Sequence, residues 1–125
     1  MAGLFEEAKN LLEAGDAAGA VPLLEELTRQ EPDNWRAFAH LGVAYARSGH
    51  YETAIGAFQR AVQLNPNAAN LRYNLGQAYE FAGVPEEALH AYDQALELRP
   101  DYPLAQQAFT RLKKKLDEQA AASDL

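Results

Sequence analysis

The side chains best suited to acid–base or metal chemistry are three histidines, His40, His50 and His90, and two carboxylate pairs, Glu25-Glu26 and Glu86-Glu87. A metal site needs donors whose spacing brings them to one point, such as two histidines four residues apart on a helix. These histidines are ten and forty residues apart and fall on different elements, so they read as surface or turn residues. The glutamate pairs lie at or just after helix starts, where negative charge favours the dipole. With no cysteine in the chain, thiolate metal sites and disulfides are excluded. Gly15, Gly49 and Gly83 stand singly, as turn residues do, and form no phosphate-binding loop. The run Lys113-Lys114-Lys115 reads as a solvated helix face near a C-terminus. The net charge is −7, from 18 acidic and 11 basic side chains. An acidic chain without a broad basic field does not grip nucleic acid. No metal, cofactor, nucleic acid or catalysis is expected.

What remains is surface chemistry, and the elements that present it follow a strict ruler. Pro32, Pro66 and Pro100 are spaced by 34 residues, as are Gly15, Gly49 and Gly83, and Ala20, Ala54 and Ala88. Glycine and proline punctuate structure, so a shared lattice means a repeated unit. In the best-formed unit, Phe38, Leu41, Gly42 and Tyr45 mark one face of a helix. Ser48-Gly49-His50 interrupts the pattern. Ala54, Ile55, Phe58, Ala61, Val62 and Leu64 resume it until Asn65-Pro66-Asn67 stops it. Each unit is therefore two helices joined by a tight turn. Gly42 and Ala54 let the pair approach closely, while Phe38, Tyr45 and Phe58 fill the space beside them, each contributing on the order of 1.5–3 kcal/mol when buried. Two helices cannot cover that apolar surface alone, so units must stack.

A helix-turn-helix of 34 residues carrying a large aromatic, Leu-Gly, tyrosine, alanine, phenylalanine and proline resembles the tetratricopeptide repeat. Phe38, Leu41-Gly42, Tyr45, Ala54, Phe58 and Pro66 carry the resemblance in the second unit. Leu75-Gly76, Tyr79, Ala88, Tyr92, Ala95 and Pro100 carry it in the third, which has Arg72 in place of the aromatic, with Tyr73 beside it. The first unit keeps Ala8, Leu11, Gly15, Ala20, Leu24, Leu27 and Pro32 and has Glu7-Ala8 for Leu-Gly. The expected fold is an all-α solenoid of three units (1–34, 35–68 and 69–102), with a capping helix over 103–122 and a frayed tail at 123–125. Asp16 and Asp101 are expected to cap the second and seventh helices. Pro22 should kink the second helix or delay its start, and fraying should begin at Ala120. Gln106 and Lys113 are polar where a following helix would need apolar contact, as suits a solvating cap. No basic segment followed by an apolar run opens the chain, and no stretch approaches the ~18 apolar residues of a membrane span, so a cytoplasmic protein is expected.

The resemblance implies a concave side lined by the first helix of each unit. At about 100° per residue, unit positions 2, 5, 9, 12 and 13 lie opposite the packing stripe. They are Ala2, Phe5, Lys9, Leu12 and Glu13; Arg36, Ala39, Val43, Ala46 and Arg47; Asn70, Tyr73, Gln77, Glu80 and Phe81; and, on the cap, Leu104, Gln107, Arg111, Lys114 and Lys115. Six of these are cationic and two anionic on an acidic protein, with aromatics interleaved, the residue types enriched at binding hot spots. The expectation is a protein-interaction scaffold or adaptor whose groove takes an extended or helical peptide bearing acidic and apolar groups. Self-assembly through repeat ends or convex faces is the alternative, which light scattering would reveal as mass that rises with concentration. Some family members grip chaperone C-terminal carboxylates with a lysine and two asparagines, then a lysine and an arginine. Phe5 and Lys9, then His40, then Asn70 and Asn74 stand in those places, so no such clamp is expected.

Overall fold

The computed structural model describes residues 3–124. It consists of seven helices, α1 (Leu4–Glu13), α2 (Ala17–Gln30), α3 (Trp35–Arg47), α4 (Tyr51–Leu64), α5 (Ala69–Phe81), α6 (Pro85–Leu98) and α7 (Pro103–Ser123), with no strand among the described residues. Each helix packs on the next, and α1 also meets α3 as α3 meets α5. This is an all-α solenoid of three helix-turn-helix units closed by a seventh helix.

The glycine lattice has a backbone cause. Gly15, Gly49 and Gly83 adopt φ of 86°, 82° and 83°, a region that side chains with a Cβ avoid. At each site the glycine N–H donates three residues back and the next N–H five residues back, to Leu11, Tyr45 and Tyr79. These paired bonds close the end of a helix and redirect the chain. The proline lattice acts at the other joint. Glu31, Asn65 and Arg99, each before a proline, leave the helical region with ψ of 75°, 79° and 88°, because the proline ring crowds the preceding residue.

Within the second and third units, a glycine on the first helix receives a ring from the second. A Cβ at Gly42 would lie 2.7 Å from the Phe58 ring, and one at Gly76 would lie 2.5 Å from Tyr92. The first unit changes both partners together, with Ala8 and the smaller Leu24 fully buried in one cluster. The glycine is thus the complement of a ring. Gly42→Ala is expected to destabilise by up to about 2 kcal/mol, the overpacking cost less the helical gain of alanine. The same change at Gly56 meets nothing within 4 Å and should stabilise by up to about 1 kcal/mol. Urea midpoints of the two variants, displaced to opposite sides of wild type, check this.

Three expectations about the helix ends are corrected. Helix α2 is not delayed by Pro22: it starts at Ala17, in register with α4 and α6, and runs on through the proline. The carbonyl that loses its partner to Pro22 belongs to exposed Ala18 and can take water. Asp16 does cap this helix, accepting from the Gly19 N–H at 2.9 Å. Helix α7 is not capped by Asp101: its N-cap is Tyr102, and Pro103 occupies the first turn, where a missing N–H costs nothing. It continues past Ala120 to Ser123, since Gln119 and three alanines are strong helix formers. Leu125 lies outside the described residues. Gln106 and Lys113 are exposed on α7.

Candidate functional site

Because α1, α3 and α5 lie side by side, their free faces line one concave side. A groove of about 620 Å³ crosses all three, with Lys9 and Glu13 from α1, Arg36, His40 and Arg47 from α3, and Asn70 and Asn74 from α5 on its walls. A second depression of about 450 Å³ continues it between α3 and α5. Val43, Arg47 and Asn74 line both.

Aromatic rings and a helix end, rather than carboxylates, hold the groove cations. The Lys9 ammonium sits 5.7 Å from the Phe5 ring centre, and the same ring meets His40 edge-on at 4.8 Å. The Arg36 guanidinium lies 4.9 Å from the Trp35 ring centre. Arg47 donates from Nη1 to the Leu12 carbonyl at 3.4 Å, near the negative end of α1. The Arg36 carbonyl, 2.8 Å from His40 Nδ1, can only accept, so His40 carries its proton on Nδ1 in this contact. Among the described residues, ion pairs engage Glu26, Glu80 and Asp117 and none engages Lys9, Arg36 or Arg47. Three cations face one carboxylate, Glu13, across the groove.

The structure brings together only part of the predicted stripe. Lys9, Arg36, Val43, Arg47 and Asn70 line the first depression, and Gln77 and Phe81 the second. Phe5 supports Lys9 and His40 from the wall. Tyr73 is turned away into the packing. Its ring lies 5.7 Å from Tyr92 and 5.4 Å from Tyr102, because α6 and the start of α7 supply rings that cover it. Its hydroxyl accepts from Gln77 Nε2 at 3.0 Å. Arg111 is not a free groove cation. It grips Glu80 through two nitrogens at 2.6 and 3.1 Å. Gln107, Lys114 and Lys115 are exposed on α7 and line neither depression, and Ala2 lies outside the described residues. The stripe omitted Trp35, His40, Asn74, Tyr51 and Phe58, all of which line one or both depressions. Arg36, His40, Val43 and Arg47 follow an i, i+4, i+7, i+11 spacing, which would have found His40 and, on α5, Asn74.

Glu80 ties three helices together. It accepts from the Tyr92 hydroxyl at 2.6 Å as well as from Arg111. Burial alone would raise its carboxyl, but the hydrogen bonds from Arg111 and Tyr92 outweigh burial and hold it below the ordinary range. Burial, then the bond to Glu80, raises the Tyr92 hydroxyl. Burial with Glu25 pushes the Tyr45 hydroxyl up to about 12. A depressed carboxyl contributes stability above its unfolded value, and loses it as pH falls through the folded one. Wild type should therefore lose stability from about pH 4.5 downward. Glu80→Gln should be weaker at pH 7 and show a shallower decline to pH 3, measured by urea midpoints. Equal slopes in the two proteins would remove Glu80 from the acid response.

No helix among the described residues is long and apolar enough to cross a membrane. A family model described as "Tetratricopeptide repeat" matches residues 5–69, 41–103 and 73–122. The TPR repeat-containing protein YvcD of Bacillus subtilis is 42% identical over 67 residues, 53% of this chain and 13% of that protein. The curated relatives it matches are far longer, and the matched stretch is 4–13% of their lengths. The second TPR domain of human RPAP3, solved with an HSP70 peptide, superposes with a TM-score of 0.85 at 20% identity, covering 89% of this chain and 92% of that one. The first TPR of Spaghetti (RPAP3), bound to an HSP90 peptide, gives 0.87 at 23% identity, covering 91% and 90%. With the same 34-residue unit read three times over in sequence, in helices and in the family match, this chain belongs to the tetratricopeptide repeat family.

Proposed function

We propose that this protein is a non-catalytic, cytoplasmic interaction module, a scaffold or adaptor that holds a partner protein by an acidic peptide segment laid along α1, α3 and α5. The observation that carries this reading is the set of three groove cations that have no carboxylate partner among the described residues. Lys9, Arg36 and Arg47 converge on a concave surface of a protein whose net charge is −7. Opposite charges steer partners and set register at such surfaces. Structural neighbours solved with HSP70 and HSP90 peptides support a peptide as the ligand. The groove residues differ from a chaperone-tail clamp, since His40, Asn70 and Asn74 stand where that clamp would need other donors. The partner is therefore an acidic segment of another kind.

Arg111 is engaged with Glu80, so the charge test is confined to α3. A random library of short displayed peptides is selected on wild type and on Arg36→Glu/Arg47→Glu. Wild type should enrich peptides rich in aspartate and glutamate, and the variant should not. Recovery of no acidic peptides, or of the same ones by both proteins, overturns the reading.

A further inference from the structure

The second depression differs in chemistry from the first. Val43, Ala46, Phe58, Ala78 and Phe81 line it, with the neutral polar side chains of Asn74 and Gln77 beside them. Arg47, at the end shared with the first depression, is the one charged residue of its lining. Phe81 is 65% exposed, the most exposed large apolar side chain among the described residues. It is the last residue of α5, and its ring stacks on Tyr51, the first residue of α4, at 5.1 Å with an interplanar angle of 17°. The stack holds the ring over the depression while leaving most of its surface to water. Exposed aromatic surface beside a concave apolar lining is the arrangement that hot-spot side chains fill.

We propose that this depression is a specificity pocket for one large aliphatic or aromatic side chain of the same peptide whose carboxylates face Lys9, Arg36 and Arg47. The inference rests on the acidic-peptide reading above and adds what else the peptide must carry. Continuity and charge select this occupant. Val43, Arg47 and Asn74 belong to both depressions, so the two adjoin and one short chain can reach from the first into the second. The cations stop at Arg47, where the apolar lining begins. Arg36 and Arg47 are eleven residues apart on α3, about 16 Å at 1.5 Å per residue. An extended peptide covers that distance in roughly five residues at about 3.3 Å each. The ligand is therefore a short extended segment whose acidic residues opposite Arg36 and Arg47 stand about five positions apart, with a bulky apolar residue beyond the second.

The display selection is repeated with Phe81→Ala, whose wild-type side chain is too exposed to support the core. Peptides recovered on wild type are then synthesised with a fluorescent label and titrated against both proteins by anisotropy. Wild type should enrich peptides pairing an acidic residue with a large apolar one at constant spacing. Phe81→Ala should keep the acidic preference, lose the apolar one, and bind the recovered peptides about tenfold more weakly, a difference of roughly 1.4 kcal/mol. Enrichment of acidic peptides with no apolar position, or an apolar preference that survives Phe81→Ala, overturns this inference and leaves the acidic-peptide reading standing. Recovery of no acidic peptides by wild type overturns both. A second copy of the chain as occupant would appear in light scattering as mass that rises with concentration in wild type and not in Phe81→Ala, and that result also overturns the proposal.

Discussion

Tyr92→Ala is expected to lower the free energy of unfolding by about 3–5 kcal/mol, the range for deleting a buried aromatic. Tyr92 is 1% exposed and among the largest fully buried side chains. Its ring fills the space that Gly76 leaves on α5 and touches Tyr73, which in turn packs on Tyr102 at the entrance to α7. Removing it opens a cavity at the junction of three helices, and Gly76 opposite has no side chain with which to fill it. The change also takes one hydrogen bond from Glu80, which keeps Arg111. Tyr92→Phe separates the two effects. It retains the ring and should cost about 1.5–3 kcal/mol, the range for a bond to a charged group. Domains of ordinary stability have about 5–15 kcal/mol in total, so the alanine variant should unfold at a much lower urea concentration. A loss under about 1 kcal/mol would mean that the third unit and α7 are not coupled through this ring.

The second large effect is on binding. Arg36→Glu/Arg47→Glu should weaken the acidic peptides recovered on wild type by about 100-fold, roughly 3 kcal/mol, measured by anisotropy at physiological salt. Each arginine can offer a charge-assisted bond to a carboxylate, and each glutamate replaces that attraction with repulsion. Both guanidinium groups reach water, which holds the estimate to about 1.5 kcal/mol per site, at the low end for a bond to a charged group. Stability should change little by comparison. Arg36 loses a contact with Trp35 of about 0.5–1 kcal/mol. Arg47 loses a long bond to Leu12 and leaves a negative charge at the end of α3, unfavourable by about 0.3–1 kcal/mol. Wild-type helicity with lost binding places the peptide on the cations. Unchanged affinity removes them from the site.

The repeat, its helices and its joints were legible in the sequence because their causes are local. A positive φ at Gly15, Gly49 and Gly83 and the crowding of the residue before each proline act within a few residues, so they recur wherever the residues recur. The sequence placed Gly42 beside Ala54 with Phe58 to one side; the structure seats the Phe58 ring directly on Gly42, and Tyr92 on Gly76, sixteen residues apart inside one unit. The site was less legible. A period of about 100° per residue finds a helix face, but which edge of that face is covered depends on the neighbour packed against it. Position 5 shows this within one family of equivalents. Phe5 braces Lys9 at the groove wall, Ala39 lines the groove, and Tyr73 is drawn inward by rings from α6 and the entrance to α7.

By itself, then, the sequence determined the all-α solenoid, the number of units and the turns. All of these follow from residue type and spacing along the chain. Tertiary structure decided which charges remain available. Arg111 reaches Glu80 across 31 residues, a partnership that exists only once α7 has docked on α6. The same stacking places α1, α3 and α5 side by side, leaving Lys9, Arg36 and Arg47 facing a groove and Phe81 exposed at its rim. A charge's partner is set by distance in space, which the order of residues along a chain does not contain until the units have stacked.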